Sequence, residues 1–451
     1  MKKIVTLSSE IQREFNTYRG KIGDREVTAN EIEEILRTST DSEECRLAYE
    51  ASKGVGPLIA DRLQELVRLR NKAARSLGFN NYWEMEIILQ EHDPKQIISI
   101  FEELDRLTEE PFRKLKGELD KYLAKRFGIK EEELMPWHYG NVFFQQVPPL
   151  GKTNTDIFYK DKDVKEIAKR FYKGIGFDVT DILNRSDLYE REKKDQHAYC
   201  FHMDRSGDIR ILCNLKNNEY WMDTIMHELG HAIYELGLDK ELPWLLRQPA
   251  HIFTTEGIAE LFGMLVHDPD WVKAVVGEDP YKIGKMAELM RWQHIADLLI
   301  FARWSLVMVN FEKALYENPD QDLNKLWWDL VEKYQLLKRP EGRGRADWAT
   351  KTHLVGAPVY YHNYMLGRMF SAQIKHKLKE LYPQFVKNGR LELWNHPEIG
   401  KFLKEEVFKP GARYKWQELV KRVTGESLTA KYFAEEIKEL EKLPPLSELI
   451  E

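Results

Sequence analysis

The sequence predicts a mainly α-helical protein, and three observations carry that reading. Long stretches place apolar residues at mixed spacings of three and four, with charges between them. The stretches also begin and end on helix signals. "PKQIISIFEELDRLTEEPFRKLKGELDKYLAKRFG" starts after His92-Asp93 and stops at Gly128. Only one segment, His197 to Asn214, breaks the rhythm with two β-prone runs around "DRSGD".

In chain order, "EECRLAYEASKGVGPLIADRLQELVRLRNKAARSLGF" opens the helical part, and the segment ending at Gly128 follows it. "WHYGNVFFQQVPPLGKTNTD" is the least helical early region, marked as a loop by Pro-Pro and Gly. The run "HAYCFHMDRSGDIRILCN" reads as a hairpin with Gly207 in its turn. Helical periodicity returns between Trp271 and Leu337, and again from Tyr360 onward. "KRPEGRGRADWATKTHLVGAPVYYHNY", Lys338 to Tyr364, is a long connection, either functional or flexible.

Composition limits the classes of function. Hydrophobic residues make up 43% of the 451 and charged residues 31%, which suits a soluble, globular chain. A net charge of -6, from 68 basic and 74 acidic residues, offers no basic field, so nucleic acid is not expected as a partner. No uninterrupted apolar run approaches the roughly 20 residues that span a bilayer, so no membrane association is expected. The N-terminal "MKKIVTLSSEIQREF" has no secretory h-region, and three cysteines cannot all pair with one another. The expected location is cytoplasmic. No heptad stretch or apolar surface face indicates an oligomeric state.

The chemistry concentrates in "MHELGHAI". In a helix His227 and His231, at i and i+4, share a face, and two imidazoles so placed can bind one Zn²⁺ at about 2.0–2.1 Å each. Glu228 is rotated about 100° from His227 and is placed to act on a metal-bound water as general base. Gly230 permits a close approach by another chain or a substrate. Thr224 or Asp223 would cap the helix. A catalytic zinc needs a third protein ligand, and "TTEGIAELFGML" supplies a second helix with Glu256 and Glu260 one turn apart. We assign Glu256 as that ligand. Glu260 is expected to hold a ligand histidine by its other ring nitrogen. One Zn²⁺ per chain is expected.

"HELGH" followed by "TEGIAE" resembles the gluzincin metallopeptidases, and within them the angiotensin-converting enzyme family. "QHAYCFHMDRSGDIRIL" stands where that family has a His-Ala strand hairpin, and "KTHLVGAPVYYHNY" where it has Lys-x-His and then Tyr-x-x-Tyr. "LIADRLQELVRLRNKAARSLGFNNYWEM" is similar to its substrate-gating N-terminal helices. The resemblance implies a single peptidase domain over 1–451, with two helical lobes around a deep central cleft and a small β-hairpin beside the zinc helix. One lobe would take 1–140 with parts of the C-terminal region, and the zinc-binding part 150–370. It implies that His353 and Tyr364 stabilise the oxyanion, that His197 and Ala198 lie along the substrate backbone, and that Lys351 and Tyr361 hold the substrate's C-terminal carboxylate. Tyr360 and Tyr361 can exchange roles, because the gap after His353 is one residue longer than in the family. The family's carboxylate-binding glutamine falls in "WHYGNVFFQQ", where Tyr139 occupies the simply aligned position. Asn363 replaces an arginine of the animal chloride site, so chloride activation is not expected.

The implied activity is hydrolysis of short peptides with release of C-terminal dipeptides. The thimet-type oligopeptidases share the same motifs and offer oligoendopeptidase action as the alternative. A non-catalytic helical peptide-binding protein retaining a structural zinc is the competing class, and Glu228 argues against it, since a structural site needs no base.

Overall fold

Local signals set the helix ends. Asp93 accepts the Lys95 N–H at 2.8 Å, Pro94 fills the first turn, and Gly128 closes the helix Pro94–Phe127 at φ 67°. The computed structural model describes residues 2–151 and 154–450. The chain is mainly α-helical, and the sheets among the described residues are three two-stranded ladders. The early helical run divides into Ser42–Lys53, capped by Asp41, and Val55–Ser76.

The chain forms two compact units. The first comprises Met1–Gly151, Ile295–His362 and Ile437–Glu451. Its core includes Ile59, Leu63, Leu66, Leu104, Leu115 and Leu119, all buried at the three-to-four spacing of their helices. Residues 295–362, expected with the zinc-binding part, group with this unit. The Gly- and Arg-rich connection here is anchored. Arg343 pairs with Asp347 at 2.7 Å and Glu50 at 2.6 Å, and Trp328 donates to Asp347 at 3.0 Å. Asp347 is fully buried, so these charge-assisted bonds replace the water it has lost.

The second unit comprises Lys152–His294 and Asn363–Glu436. It holds the expected hairpin, Tyr199–His202 against Ile209–Leu212, with Gly207 in the turn at φ 119°. Ile209 and Ile211 face inward while Arg210 faces out, the period of two that a half-buried strand requires. The hairpin packs on the helix Glu219–Gly237. His202 joins them: Gly207 N–H donates to its Nε2 at 3.1 Å, so its Nδ1 donates to Glu235 at 2.7 Å. The helix Ala287–Glu317 is long and apolar enough to cross a membrane by length and composition, and 78% of its most apolar window is buried in the protein.

In the first unit His138 is buried as a neutral imidazole. Its Nδ1 accepts the Met135 N–H at 2.8 Å and its Nε2 donates to Ser42 at 2.7 Å. Burial pushes it down to about 4 from an ordinary value of 6.5. The folded state resists a proton that the unfolded chain accepts. This contribution is therefore present above pH 6.5 and is lost as pH falls towards 4. Urea unfolding at pH 7 and pH 4.5 should show the wild type losing on the order of 2 kcal/mol more than His138→Gln; equal losses would refute the assignment.

Candidate active site

The motif helix begins one turn earlier than the sequence reading placed it. Asn218 caps it by accepting the Trp221 N–H at 2.9 Å, and Thr224 lies inside, bonded back to the Tyr220 carbonyl. Asn218 is the better cap because its side chain reaches back to the first free N–H groups, and Thr224 already has helical neighbours on both sides. The second helix, Ile252–Gly263, packs against the first with backbone nearly touching backbone. A Cβ on Gly230 would stand 2.7 Å from Ala259 Cα. The close approach expected at Gly230 is thus made by the helix carrying the acids. A Cβ on Gly257 would likewise stand 2.7 Å from the Gly367 carbonyl oxygen, on the helix His362–Leu381.

These contacts bring His227, His231 and Glu256 together, with one ligand atom of each within 4.8 Å of the others. His227 Nε2 lies 3.2 Å from His231 Nε2, and Glu256 Oε2 lies 3.7 and 3.9 Å from the two. Two ligands about 2.05 Å from one tetrahedral ion stand about 3.3 Å apart, so the trio fits one divalent cation with small adjustments. His231 Nδ1 meets Thr255 Oγ1 at 2.7 Å. With the ring proton on Nδ1 and donated to Thr255, Nε2 keeps a bare lone pair facing the ligand group. The hydrogen bond to a ligand histidine expected of Glu260 comes, for His231, from Thr255. Glu260 instead faces Arg368 at 3.5 Å and acts on His227 through its charge. The physical reason is direction: one turn beyond Glu256, its carboxylate reaches the guanidinium first.

Electrostatics separate the two histidines. Burial opposes charge on His227, but Glu256, Glu228, Glu260 and Asp223 together raise its pKa. Burial and the neighbouring His227 hold His231 well below its ordinary value. A pair at this distance carries at most one proton, and a divalent cation replaces that proton with more charge. Burial also raises Glu256, and it pushes Glu228 up to about 7. Glu228 is buried on the same helix, and the charges of His227 and Glu256 both act on it. Tyr364, half-buried on the helix that packs at Gly367, joins this group. Burial and the Glu256 charge raise its hydroxyl to about 12, so it remains a donor. His197 is exposed and Ala198 half-buried, both just before the paired strand Tyr199–His202. Among the described residues that strand pairs on one side only, and the far side of its partner strand is where Leu212 bridges to Asp187.

A second constellation lies in the first unit. Lys351 Nζ donates to Gln145 Oε1 at 2.8 Å, and the Tyr361 hydroxyl donates to the same oxygen at 3.4 Å. Trp304 Nε1 donates to the Tyr361 hydroxyl at 2.6 Å. Lys351 is 6% exposed, and burial together with Lys53 lowers it to about 7. The Phe143, Trp304 and Tyr361 rings lie 4.9 to 5.3 Å from its ammonium. His353 stacks edge-on against Tyr361 at 5.0 Å, and burial with Lys351 lowers it to about 4, so it is neutral at pH 7. Gln145 lies in "WHYGNVFFQQ", the run in which the sequence placed no carboxylate-binding glutamine. Phe144, at φ 47°, turns the chain just before it, and Gln335 holds the Phe143 and Phe144 carbonyls at 2.9 and 2.7 Å. The signal available in the sequence was an amide pair closing an apolar, aromatic run, Val142-Phe143-Phe144-Gln145-Gln146.

The chain is also similar to known peptidases. The family model described as angiotensin-converting enzyme matches residues 1–442. Carboxypeptidase 1 of Bacillus subtilis is 24% identical over 426 residues, covering 85% of this chain and 74% of its own. Thermostable carboxypeptidase 1 of Pyrococcus furiosus is 22% identical over 84% of this chain and 72% of its own. The angiotensin-converting enzyme-like protein Ace3 of Mus musculus is 22% identical over 88% of this chain, which spans 57% of its length.

Thr255 is 6% exposed and valine copies its shape, so Thr255→Val removes the partner of His231 Nδ1 with little change in packing. Metal affinity should fall by roughly tenfold to a hundredfold, read by competition with a chelating dye. An unchanged affinity would mean that Thr255 does not orient the ring.

Proposed function

Because the chain belongs to the angiotensin-converting enzyme family of peptidases, we propose that it releases dipeptides from the free C-terminus of short peptides, using one zinc ion held by His227, His231 and Glu256. Peptide hydrolysis follows from the family; the exopeptidase mode is our reading of the Lys351 constellation. A buried ammonium, a tyrosine hydroxyl and a carboxamide together supply the donors a carboxylate needs. Among the described residues no ion pair within 4 Å holds the Lys351 ammonium; the Glu33 charge acts on it from further away and only partly offsets the lowering by burial and Lys53. Leaving a cation buried without an acidic partner costs stability, and a binding role accounts for it.

The chain's own groups divide the chemistry. Zinc, when bound, would polarise the scissile carbonyl and acidify a water molecule. Glu228 accepts a proton from the attacking water and returns it to the leaving amine. Glu228, raised by burial to about 7, would be lowered and kept ionised by positive charge at the neighbouring ligand group, which leaves it able to accept. The Tyr364 hydroxyl, protonated throughout the working pH range, donates to the oxyanion. Neutral His353 keeps one ring N–H that can donate to the substrate. The one-sided strand at Tyr199–His202 suits backbone pairing with an extended peptide, with His197 and Ala198 at its entrance.

Glu228→Gln should retain one zinc per chain by elemental analysis and lower kcat by roughly a hundredfold or more; full activity would end this mechanism. Digests of free-acid peptides and their C-terminal amides, followed by mass, should show dipeptide release from the acids only. Equal cleavage of both would replace the exopeptidase reading with an oligoendopeptidase. Lys351→Met should raise KM for free-acid peptides by roughly tenfold to a hundredfold and also raise Tm, since it removes a buried cation. A lowered Tm with unchanged KM would place Lys351 in the framework instead.

A further inference from the structure

The turn between His353 and Tyr361 contains an unusual backbone. Val359, 1% exposed, sits at φ 53°, in the left-handed region that a β-branched side chain rarely enters. Such a conformation persists only where its surroundings enforce it, and strain of this kind gathers at functional sites. The Val359 peptide is gripped from two sides. Its N–H donates to Glu312 Oε1 at 2.8 Å, and its carbonyl accepts from Gln90 Nε2 at 2.9 Å. Just upstream, Arg70 donates to the carbonyls of Leu354 at 3.0 Å and Val355 at 2.9 Å. Both ends of the turn are therefore tied to buried side chains.

Glu312 is the group in this arrangement that the proposed mechanism does not use. It is 4% exposed on the helix Ala287–Glu317. The ionisable groups around it are Arg70 on Val55–Ser76, Tyr82 and Glu86 on Tyr82–Leu89, and Tyr316 one turn along its own helix. We infer that Glu312 is a positioning residue for the segment carrying Lys351, His353 and Tyr361, and that it acts through the strained Val359 peptide. This rests on the reading of those three residues as substrate-binding groups. A buried carboxylate retained here costs more than a neutral side chain would, and holding a strained N–H is a task that needs a strong acceptor.

Burial pushes the Glu312 carboxyl up to about 7, opposed by the Val359 N–H and Arg70. The ionised form is the stronger acceptor, so the grip on Val359 tightens as pH rises through 7. The same ionisation is disfavoured by burial. Folding stability from this group therefore decreases as pH rises from 4.5 to 7, because the folded state holds the proton longer. The tighter turn comes at a cost in stability.

Two variants of the zinc-loaded protein test the inference. Glu312→Leu should lower kcat/KM for a free-acid peptide by roughly tenfold. It should also speed amide hydrogen exchange across 353–361, with zinc content unchanged. Glu312→Gln keeps an acceptor without a titration; it should restore most of the rate and the protection while changing the pH profile near 7. A Glu312→Leu protein with native exchange and native kcat/KM overturns the inference, as does one whose only change is a lower Tm. Failure of Gln to rescue Leu overturns it too. Should the Leu variant not fold, an unaltered pH profile in Glu312→Gln decides against it. If the wild type cleaves free acids and amides alike, the carboxylate reading fails, and the exchange data still judge the clamp by themselves.

Discussion

The convergence of His227, His231 and Glu256 depends on one backbone contact. Helix Glu219–Gly237 meets helix Ile252–Gly263 at Gly230 and Ala259, with no room for a Cβ between them. Helices normally pack with axes about 8–10 Å apart, held off by their side chains. A glycine facing an alanine lets the axes close up, and Gly257 facing Gly367 does the same for the third helix. The consequence is dimensional. Side chains as short as glutamate and histidine converge on one point with their outer atoms 3.2 to 3.9 Å apart. A bulkier contact would push the carboxylate out of reach of a cation held by the two imidazoles.

Closeness has an electrostatic counterpart. The unit that holds His227 and His231 groups buried Glu228 with half-buried Glu256, Asp223 and Glu260 around them, and loss of solvent raises the first three carboxyls. This concentrates negative charge in a poorly solvated place, which a divalent cation relieves. The other unit has the opposite arrangement, with Lys53 and Lys351 buried near one another and both lowered by burial. Each unit thus carries a charge imbalance of its own, acidic at the histidines and basic at Gln145.

The sequence made some of this legible and hid the rest for physical reasons. The helix from Pro94 to Gly128 could be bounded because its cap, its proline and its terminal glycine act within a few residues. His227 and His231 could be paired because helix periodicity alone puts them on one face. The hairpin was readable from its turn, Asp204 to Asp208, around Gly207. Gln145 was not, because its partner Lys351 is 206 residues away and a left-handed Phe144 aims it there. Thr255 was missed since a helical threonine next to a ligand looks like filler until the neighbouring helix is in place. Asn218, Glu312 and Gln90 belong to the same class: local sequence gives their type, and only the fold gives their partner. The division into units followed the same limit, with residues 295–362 joining the early helices through contacts no periodicity reports.

The lowered ammonium of Lys351 gives the first unit a chemical habit of its own. A group that titrates near 7 is only partly charged in the free protein at neutral pH. Under the role proposed for Lys351, an arriving carboxylate would favour the charged form, and the complex would take up a fraction of a proton from the surrounding water. Ligand capture is then coupled to the buffer: its apparent heat would vary with the ionisation enthalpy of whatever supplies that proton, and alkaline solution would weaken it even though the ligand's own charge stays the same.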